Sequence, residues 1–435
     1  YRRDLMVSVA DRILTAPARQ ANPSISLIVK FPQWYDLFHL YGYDVERMSP
    51  FFDRVWVGTE TRGANTQRYG FVPPFEGFVN YRWIRDNAPE KTYAAWFDHG
   101  DCGAGDFIDQ AWQSVLAGAP ELVFFCYSNI AQGHPDHARI AEEYDSLRVL
   151  SQAVRETPVS GIPTYKPHHS EGKPYLMDFL GMMGVPIVPV CKFPGQASRI
   201  FLLEQSAADS SVAEKLSCSK NLKTIVMTVD FLAGLKDGGA MARQAGLKSV
   251  STARPVETGE VLEGENTVTL KTPLRLYADI IPAGATVLLQ ALVDGKAVPF
   301  LTEYTADGRN YIVLNTYSYT EADFKKKNEW LLHPCPLGLL EVPDSWANTL
   351  RTALSGIQGD QYPDGTCLHA PTRVSFQPID NGWFIQNYND TPTEIKLDFV
   401  NPTALKDGFS GENIAPAAAQ HVFPMSARSR IWLRP

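Results

Sequence analysis

Two stretches of sequence decide the fold: Arg54-Val-Trp-Val-Gly-Thr-Glu-Thr-Arg62 and Thr92-Tyr-Ala-Ala-Trp-Phe-Asp-His-Gly-Asp101. Each is a short apolar run that ends in charged or hydroxyl-bearing side chains, which is typical of a buried parallel strand followed by a polar loop. Residues 25–31 and 121–126 have the same form. A helical stretch follows each of the four, so residues 25–155 predict four successive strand–helix units.

The predicted fold class is α/β, with three domains and a connector. A helix over residues 1–21 and the four strand–helix units fill residues 1–157. We interpret this segment as the C-terminal half, strands five to eight, of a TIM-type (β/α)8 barrel whose N-terminal part is missing from the sequence. Residues 158–320 predict a second α/β domain with short strands over 265–318. Residues 321–360 predict a helical connector, and residues 361–435 a small antiparallel β-sandwich.

Composition argues against several classes of protein. A chain of 435 residues is too long for one ordinary core. The net charge of -8 argues against a nucleic-acid-binding protein, and no apolar run reaches the roughly 18 residues of a membrane span. The six cysteines form no Cys-x-x-Cys pair. They predict free thiols and a cytoplasmic protein, with secretion as the alternative.

Two acidic residues are the predicted catalytic pair, Asp98 and Glu60. Each follows an apolar strand, and neighbouring parallel strands lie about 5 Å apart. Carboxyl groups at adjacent strand ends therefore fall within the roughly 5–10 Å separation that glycoside hydrolysis uses. One must be neutral to protonate the leaving oxygen and the other charged as nucleophile or base, a difference that an aromatic wall promotes. The alternative is structural: Glu60 pairs with Arg62, and Asp98 caps the next helix.

Polar and aromatic side chains around this pair are suited to bind hydroxyl groups or to stack on a sugar ring. We expect substrate contacts from Lys30, Trp34, Tyr35, Asp36, Arg62, Trp96, His99, Asp101, Tyr127 and Asn129. Asp101 also suits a turn that leads into a helix.

Other chemistries have weaker support. Asp98, His99 and Asp101 crowd together, as do His134, Asp136 and His137, but neither spacing fits a strong zinc signature. Cys191 lacks the glycine-flanked elbow of a thiol nucleophile, and no GxGxxG or P-loop motif occurs. We therefore expect no metal and no cofactor.

Three segments of the second domain resemble a known family. GIPTYKPHHSEGKPYLMDFLGMMGVPIVPV (161–190), RIFLLEQSAADSSVAEKL (199–216) and KTIVMTVDFLAGL (223–235) are similar to the flavodoxin-like, glutamine-amidotransferase-like trimerisation domain of microbial β-galactosidases. In that family this domain follows a (β/α)8 catalytic barrel and precedes a small β-domain, and the order of elements is similar along the whole chain. LIVKFPQWYD (27–36), DRVWVGTETRG (53–63) and APEKTYAAWFDHGDCG (88–103) resemble the C-terminal half of a glycoside hydrolase barrel.

The resemblance implies a homo-oligomeric glycosidase, β-galactosidase-like or α-fucosidase-like, whose second domain is a non-catalytic support. This sequence departs from the pattern of the family at two points. The acid/base residue of the family follows the fourth strand, which this chain lacks. The seventh strand of the β-galactosidase type ends in Glu, whereas this sequence has Asp98; the α-fucosidase-like relatives use Asp from an earlier strand. The alternatives are a non-catalytic carbohydrate-binding or scaffold protein and an amidohydrolase with a reactive thiol.

Overall fold

The computed structural model describes residues 1–33, 38–63, 65–66, 70–100, 102–133, 135–156, 159–172, 175–317, 338–355, 365–379 and 382–435. Within these ranges the strands form sheets of four, nine and six strands and a two-stranded ribbon. Among the same residues, no helix is long and apolar enough to cross a membrane.

The first sheet consists of four parallel strands in the order β1-β2-β5-β6, with helices between them. The strands of this region are β1 (Ile28–Phe31), β2 (Arg54–Gly58), the ribbon β3 (Asn65–Thr66) and β4 (Gly70–Phe71), β5 (Thr92–Asp98) and β6 (Glu121–Phe125). The helices are α1 (Arg2–Ser8), α2 (Ala16–Ala21), α3 (Phe38–Tyr41), α4 (Val45–Met48), α5 (Glu76–Asn87), α6 (Ala104–Leu116), α7 (Tyr127–Ala131) and α8 (Pro135–Glu156). A π-helical segment, Val9–Thr15, joins α1 to α2, and a 3-10 turn, Ser49–Phe51, follows α4. The four predicted parallel strands are confirmed.

Alternation along these strands explains how the helices pack. Val55 and Val57 of β2 and Phe97 of β5 are fully buried, because every second side chain points to the same face of a sheet. The ring of Phe97 lies 5.2 Å from that of Phe107 in α6. On β6 the side chain of Phe125 is about half exposed. Helix α6 therefore packs on β5 through these rings.

The second sheet joins five parallel strands to a long antiparallel extension. Its strands are β7 (Ile162–Tyr165), β8 (Ile187–Val190), β9 (Arg199–Leu202), β10 (Thr224–Thr228), β11 (Leu247–Glu263), β12 (Asn266–Pro282), β13 (Thr286–Val293), β14 (Lys296–Ala306) and β15 (Arg309–Leu314). Its helices are α9 (Tyr175–Met183), α10 (Val212–Cys218), α11 (Val229–Gly234) and α12 (Gly238–Gln244), with a 3-10 turn at Glu204–Ala208. The parallel strands follow the order β8-β7-β9-β10-β15, which is the strand order of flavodoxin-like sheets.

The antiparallel extension differs in part from the sequence-based prediction. The predicted turns at Asp294-Gly295 and Asp307-Gly308 are confirmed, with positive φ at all four residues. The first two strands of the extension, β11 and β12, are longer than the short strands predicted. β11 and β12 have 17 residues each, and β11 begins at Leu247, well before residue 265. Bulges break the register of this hairpin, and they also break the apolar alternation that marks a strand in sequence.

The C-terminal region is antiparallel. Its helix is α13 (Asp344–Ser355), which follows a 3-10 turn at Gly338–Glu341 and lies within the predicted connector. Its strands are β16 (Cys367–His369), β17 (Val374–Ile379), β18 (Gly382–Asn387), β19 (Thr393–Asp407), β20 (Asn413–Met425) and β21 (Arg430–Arg434), in the order β16-β19-β21-β18-β17 with β20 on β19. The structure confirms a mixed α/β chain with a C-terminal antiparallel region. The domain boundaries and the sandwich arrangement stay predictions.

One buried arginine, Arg351 of α13, ties three segments together. Its guanidinium donates hydrogen bonds of 2.6 Å to the carbonyl oxygens of Met183, Ala370 and Pro371. A fourth bond, of 2.7 Å, goes to Oδ1 of Asn348. Burial lowers the pKa of Arg351 to about 10, so the group is still charged at neutral pH. The charge thus holds the end of α9 and the start of the C-terminal sheet against α13.

We expect Arg351→Met to lower the free energy of unfolding by about 2–4 kcal/mol, because three carbonyl groups, two of them buried, would lose their donors. Urea denaturation followed by circular dichroism measures the change. The matched control is Arg254→Met, which removes an exposed arginine 3.5 Å from Asp279. It should change the free energy by less than about 1 kcal/mol. Equal effects of the two substitutions would contradict the conclusion that Arg351 holds these segments together.

Candidate functional site

The structure places Glu60 and Asp98 at the ends of two adjacent parallel strands. Gly58 in β2 pairs with Trp96 in β5, so each acidic residue lies two positions beyond this pair. Both are buried, with 3% of Glu60 and 6% of Asp98 exposed. The two predicted catalytic residues therefore lie at the same edge of the sheet, although their roles stay a prediction.

Glu60 lies in a largely apolar position with one cationic neighbour. Its Oε1 atom accepts a hydrogen bond of 2.9 Å from Nζ of Lys30, and that ammonium lies 3.3 Å from the ring centroid of Trp96. Its Oε2 atom is buried and has no hydrogen-bond partner among the described residues. Burial raises the pKa of Glu60, while the charge of Lys30 opposes the rise and the charge of Asp98 adds to it. Burial and the Lys30 ion pair thus act on the pKa of Glu60 in opposite directions, and burial is the larger effect.

Asp98 has a different environment, which suits an anion. The Nε and Nη2 atoms of Arg62 donate to its two carboxylate oxygens at 3.1 and 3.0 Å. The amide of Gly100 donates to Oδ1 at 3.0 Å. Both partners are donors, and the two-pronged arginine contact is a strong, charge-assisted arrangement. The predicted structural alternative is wrong in its details: Arg62 pairs with Asp98, Lys30 pairs with Glu60, and Gly103 is the N-cap of α6.

The structure brings some of the expected substrate-binding residues together and leaves others undescribed. Lys30, Arg62 and Trp96 surround the acidic pair. Nδ1 of His99 donates to the carbonyl oxygen of Phe125 at 2.9 Å, and Tyr127 is highly exposed at the start of α7. Trp34, Tyr35, Asp36 and Asp101 lie outside the described residues, as does the side chain of Asn129.

Three residues that sequence reasoning missed hold the strand ends in place. A Cβ atom at Gly58 would lie 2.6 Å from the amide nitrogen of Gln33 and 2.6 Å from Oε2 of Glu60. Asn80 of α5 donates to the carbonyl oxygen of Gly58 at 2.6 Å. Gln110 of α6 donates to the carbonyl oxygen of Asp98 at 2.9 Å. For Asn80 and Gln110 the sequence did offer a signal: each is an amide side chain within the apolar stripe of its helix, and a buried polar group needs a hydrogen-bond partner.

Metal and thiol chemistry gain no support from the described residues. Among them, no group of three or more His, Cys, Asp or Glu side chains could hold a metal ion; His134 of the predicted cluster lies outside the description. Five described cysteines are free thiols. Burial raises the pKa of Cys191, which is opposite to what a thiolate nucleophile requires.

The segment that contains this site is similar to a known family. Residues 1–159 match the family model described as "Probable glycosyl hydrolase, catalytic domain", which confirms the predicted resemblance of this segment. An uncharacterized protein of Saccharolobus solfataricus is 23% identical over 201 residues, which cover 43% of this chain and 32% of that protein.

Solved β-galactosidases have a similar fold. The enzyme from the Antarctic haloarchaeon Halorubrum lacusprofundi aligns with a TM-score of 0.57 and 12% identity, over 100% of this chain and 67% of that chain. Gan42B, a GH42 β-galactosidase from G. stearothermophilus, aligns with a TM-score of 0.52 and 13% identity, over 96% and 65%. The chain thus spans about two thirds of their length and a third of the curated relative. At these identities the comparison establishes the fold.

The space beside Gly58 yields a prediction. In Gly58→Ala the added methyl group would overlap the Gln33 amide and the Glu60 carboxylate. We expect a loss of about 1–3 kcal/mol in unfolding free energy and a displaced Glu60 side chain in a crystal structure. The control is Gly77→Ala in α5, where the nearest heavy atom would be 3.5 Å away. That helix substitution should be neutral or slightly stabilising. An undisturbed Glu60 in Gly58→Ala would contradict the packing argument.

The Lys30 contact yields a second prediction. Since the ammonium favours the ionised form of Glu60, Lys30→Met should raise the pKa of Glu60 further above its ordinary value of 4.5. The carboxyl 13C resonance of Glu60, followed through a pH titration, measures this shift. Lys91→Met is the control, because Nζ of Lys91 bonds to the carbonyl oxygen of Phe52 near the opposite end of the sheet. An unchanged or lower pKa of Glu60 in Lys30→Met would show that Lys30 does not stabilise the Glu60 carboxylate.

Proposed function

We propose that the chain is part of a glycoside hydrolase in which Glu60 and Asp98 act as the paired carboxyl groups. The observation that carries the proposal is their position at the ends of adjacent strands, with donors around one and an apolar surrounding for the other. The match of residues 1–159 to a glycosyl hydrolase catalytic domain supports it. The similarity in fold to β-galactosidases adds support for a carbohydrate substrate.

The two environments suggest distinct roles. Glu60, whose pKa is raised by burial, is the proposed proton donor to the leaving glycosidic oxygen. Asp98, held by Arg62, is the proposed anion, which either attacks the anomeric carbon or takes a proton from the attacking water. In both routes water supplies the hydroxyl group to the anomeric carbon. In the first route Glu60 takes back a proton from the water that cleaves the glycosyl–Asp98 bond, and in the second Asp98 releases the proton to solvent, from which Glu60 is protonated again. Trp96 and the exposed ring of Tyr127 are proposed to contact the sugar.

The proposed architecture follows from the same elements. Strands β1, β2, β5 and β6 would be strands five to eight of a (β/α)8 barrel, in which active sites lie at the carboxyl ends of the strands. Residues 158–320 would form the amidotransferase-like support, residues 321–360 the connector and residues 361–435 a β-sandwich. We also propose that the protein is a homo-oligomer and acts without a cofactor. For its specificity we propose a β-galactosidase-like enzyme ahead of an α-fucosidase-like one, since solved β-galactosidases have a similar fold.

Substitution of the pair tests the proposal. In the intact protein, Glu60→Gln and Asp98→Asn should each lower turnover of a nitrophenyl glycoside, tested first with the β-galactoside, by about 10²–10⁴-fold. Both variants should keep the circular dichroism spectrum of the parent. The control is Glu121→Gln, which removes a carboxylate from the opposite end of β6 in the same sheet. Full rates in both site variants would remove these residues from the mechanism.

One observation favours a second candidate function, a non-catalytic carbohydrate-binding protein. Arg62 contacts both oxygens of Asp98, an arrangement that also suits a purely structural ion pair. This alternative predicts no cleavage across a broad panel of glycosides together with a rise in melting temperature on addition of a sugar. Cleavage that depends on Glu60 would exclude it.

A further inference from the structure

Helix α6 carries a buried acidic residue that the C-terminal sheet neutralises. Asp109 is 1% exposed. It accepts a hydrogen bond of 2.8 Å from Nη1 of Arg428, another from Nη2 of Arg430, and a third of 2.7 Å from Nε2 of Gln386. A buried carboxylate without such donors would be strongly destabilising. The contact therefore fixes α6 against a sheet that lies more than 270 residues away in sequence.

An adjacent row of side chains on α6, formed by Gln110 and Ser114, contacts the proposed site. Gln110 donates to the carbonyl oxygen of Asp98 at 2.9 Å, and its Oε1 lies 3.3 Å from the amide of Arg62, which donates to it. One turn later, Ser114 forms a hydrogen bond of 2.9 Å with the hydroxyl of Thr59, the residue before Glu60. Both acidic strand ends are thus attached to one side of α6.

The two rows repeat with the period of the helix. Asp109 and Gln113 are four residues apart, so they share a face. Gln113 donates to Oε1 of Gln386 at 2.8 Å and to the hydroxyl of Tyr388 at 2.7 Å. Gln110 and Ser114 form the adjacent row. Because an α-helix is stiff, a shift on the face towards the C-terminal sheet moves the face towards the site as well.

We infer that the C-terminal sheet positions the proposed active site through α6, with Arg428 and Arg430 as positioning residues for the Asp98–Arg62 pair. The inference rests on the proposed function for its effect on turnover, whereas its effect on geometry is independent of that function. Arg430 also donates to Glu143 of α8 at 3.2 Å, so it has a second structural duty. Arg428 also lies 3.4 Å from Asp106 of α6 and donates to Asp390 at 2.8 Å. Since two of its three acidic partners lie on α6, Arg428 is the better site for a test.

A double-mutant cycle measures the effect on turnover. Arg428→Met should lower kcat about 10-fold or more with little change in KM, since small displacements of reacting groups cost up to about 10²-fold. Arg428→Lys should recover part of the rate. If Arg428 acts through Gln110, Arg428→Met/Gln110→Ala should be no slower than Gln110→Ala alone. Effects that multiply would overturn the inference. The control is Lys396→Met, which breaks a 3.2 Å ion pair with Asp398 in the same sheet and should keep the parent rate.

A measurement without substrate separates this inference from the proposed function. The Nε–H of Arg62 bonds to Asp98, so its exchange with solvent, followed by 15N NMR, reports the geometry of the pair. Faster exchange in Arg428→Met and Arg428→Lys, but not in Lys396→Met, is the expected result. That result in a protein without glycosidase activity would support the positioning and refute the proposed function. Unchanged exchange in both Arg428 variants would refute the positioning, whatever the activity.

Discussion

Burial of charge is the constraint on which this structure depends, because a charged group away from water is stable only when it is paired. Glu60, Asp98 and Asp109 are buried and face Lys30, Arg62 and Arg428, respectively. Two of these partners join strands of the first sheet, and the third lies in the turn between β20 and β21 of the C-terminal sheet. Arg351 follows the same rule with carbonyl oxygens in place of a carboxylate. The pairs therefore determine which segments must lie together.

The two carboxyl groups of the candidate site satisfy this constraint to different degrees. Asp98 receives three hydrogen bonds, two from Arg62 and one from Gly100. Glu60 receives one from Lys30, and its second oxygen is buried without a partner among the described residues. A neutral acid loses less by burial than an anion does, and burial raises the pKa of Glu60 accordingly. The two carboxyl groups therefore differ in the number of donors around them.

Local sequence patterns were sufficient to predict the parallel strands. The features that could not be predicted depend on contacts between residues that are far apart in sequence. The four parallel strands of the first sheet were predictable because apolar runs with polar ends are a local signal. The partner of Arg62 was not, because it depends on the strand register and on a left-handed backbone at Arg62, with φ of +58°. Gln110 and Asn80 were missed for a related reason: an amide within a helix reveals its partner only when the strand end beside it is known. The 17-residue strand β11 was missed because bulges interrupt its alternation.

Similarity in fold at 12–13% identity fits this division between local and non-local information. A sheet edge with helices on one face requires a pattern of apolar and polar positions, which many sequences satisfy. An ion-pair network has a stricter requirement, since replacement of one buried partner leaves the other uncompensated. The fold can therefore persist while the pairs change, provided that both members change together. The pairs Lys30–Glu60, Arg62–Asp98 and Arg428–Asp109 consequently carry more information about the chemistry of this chain than its fold does.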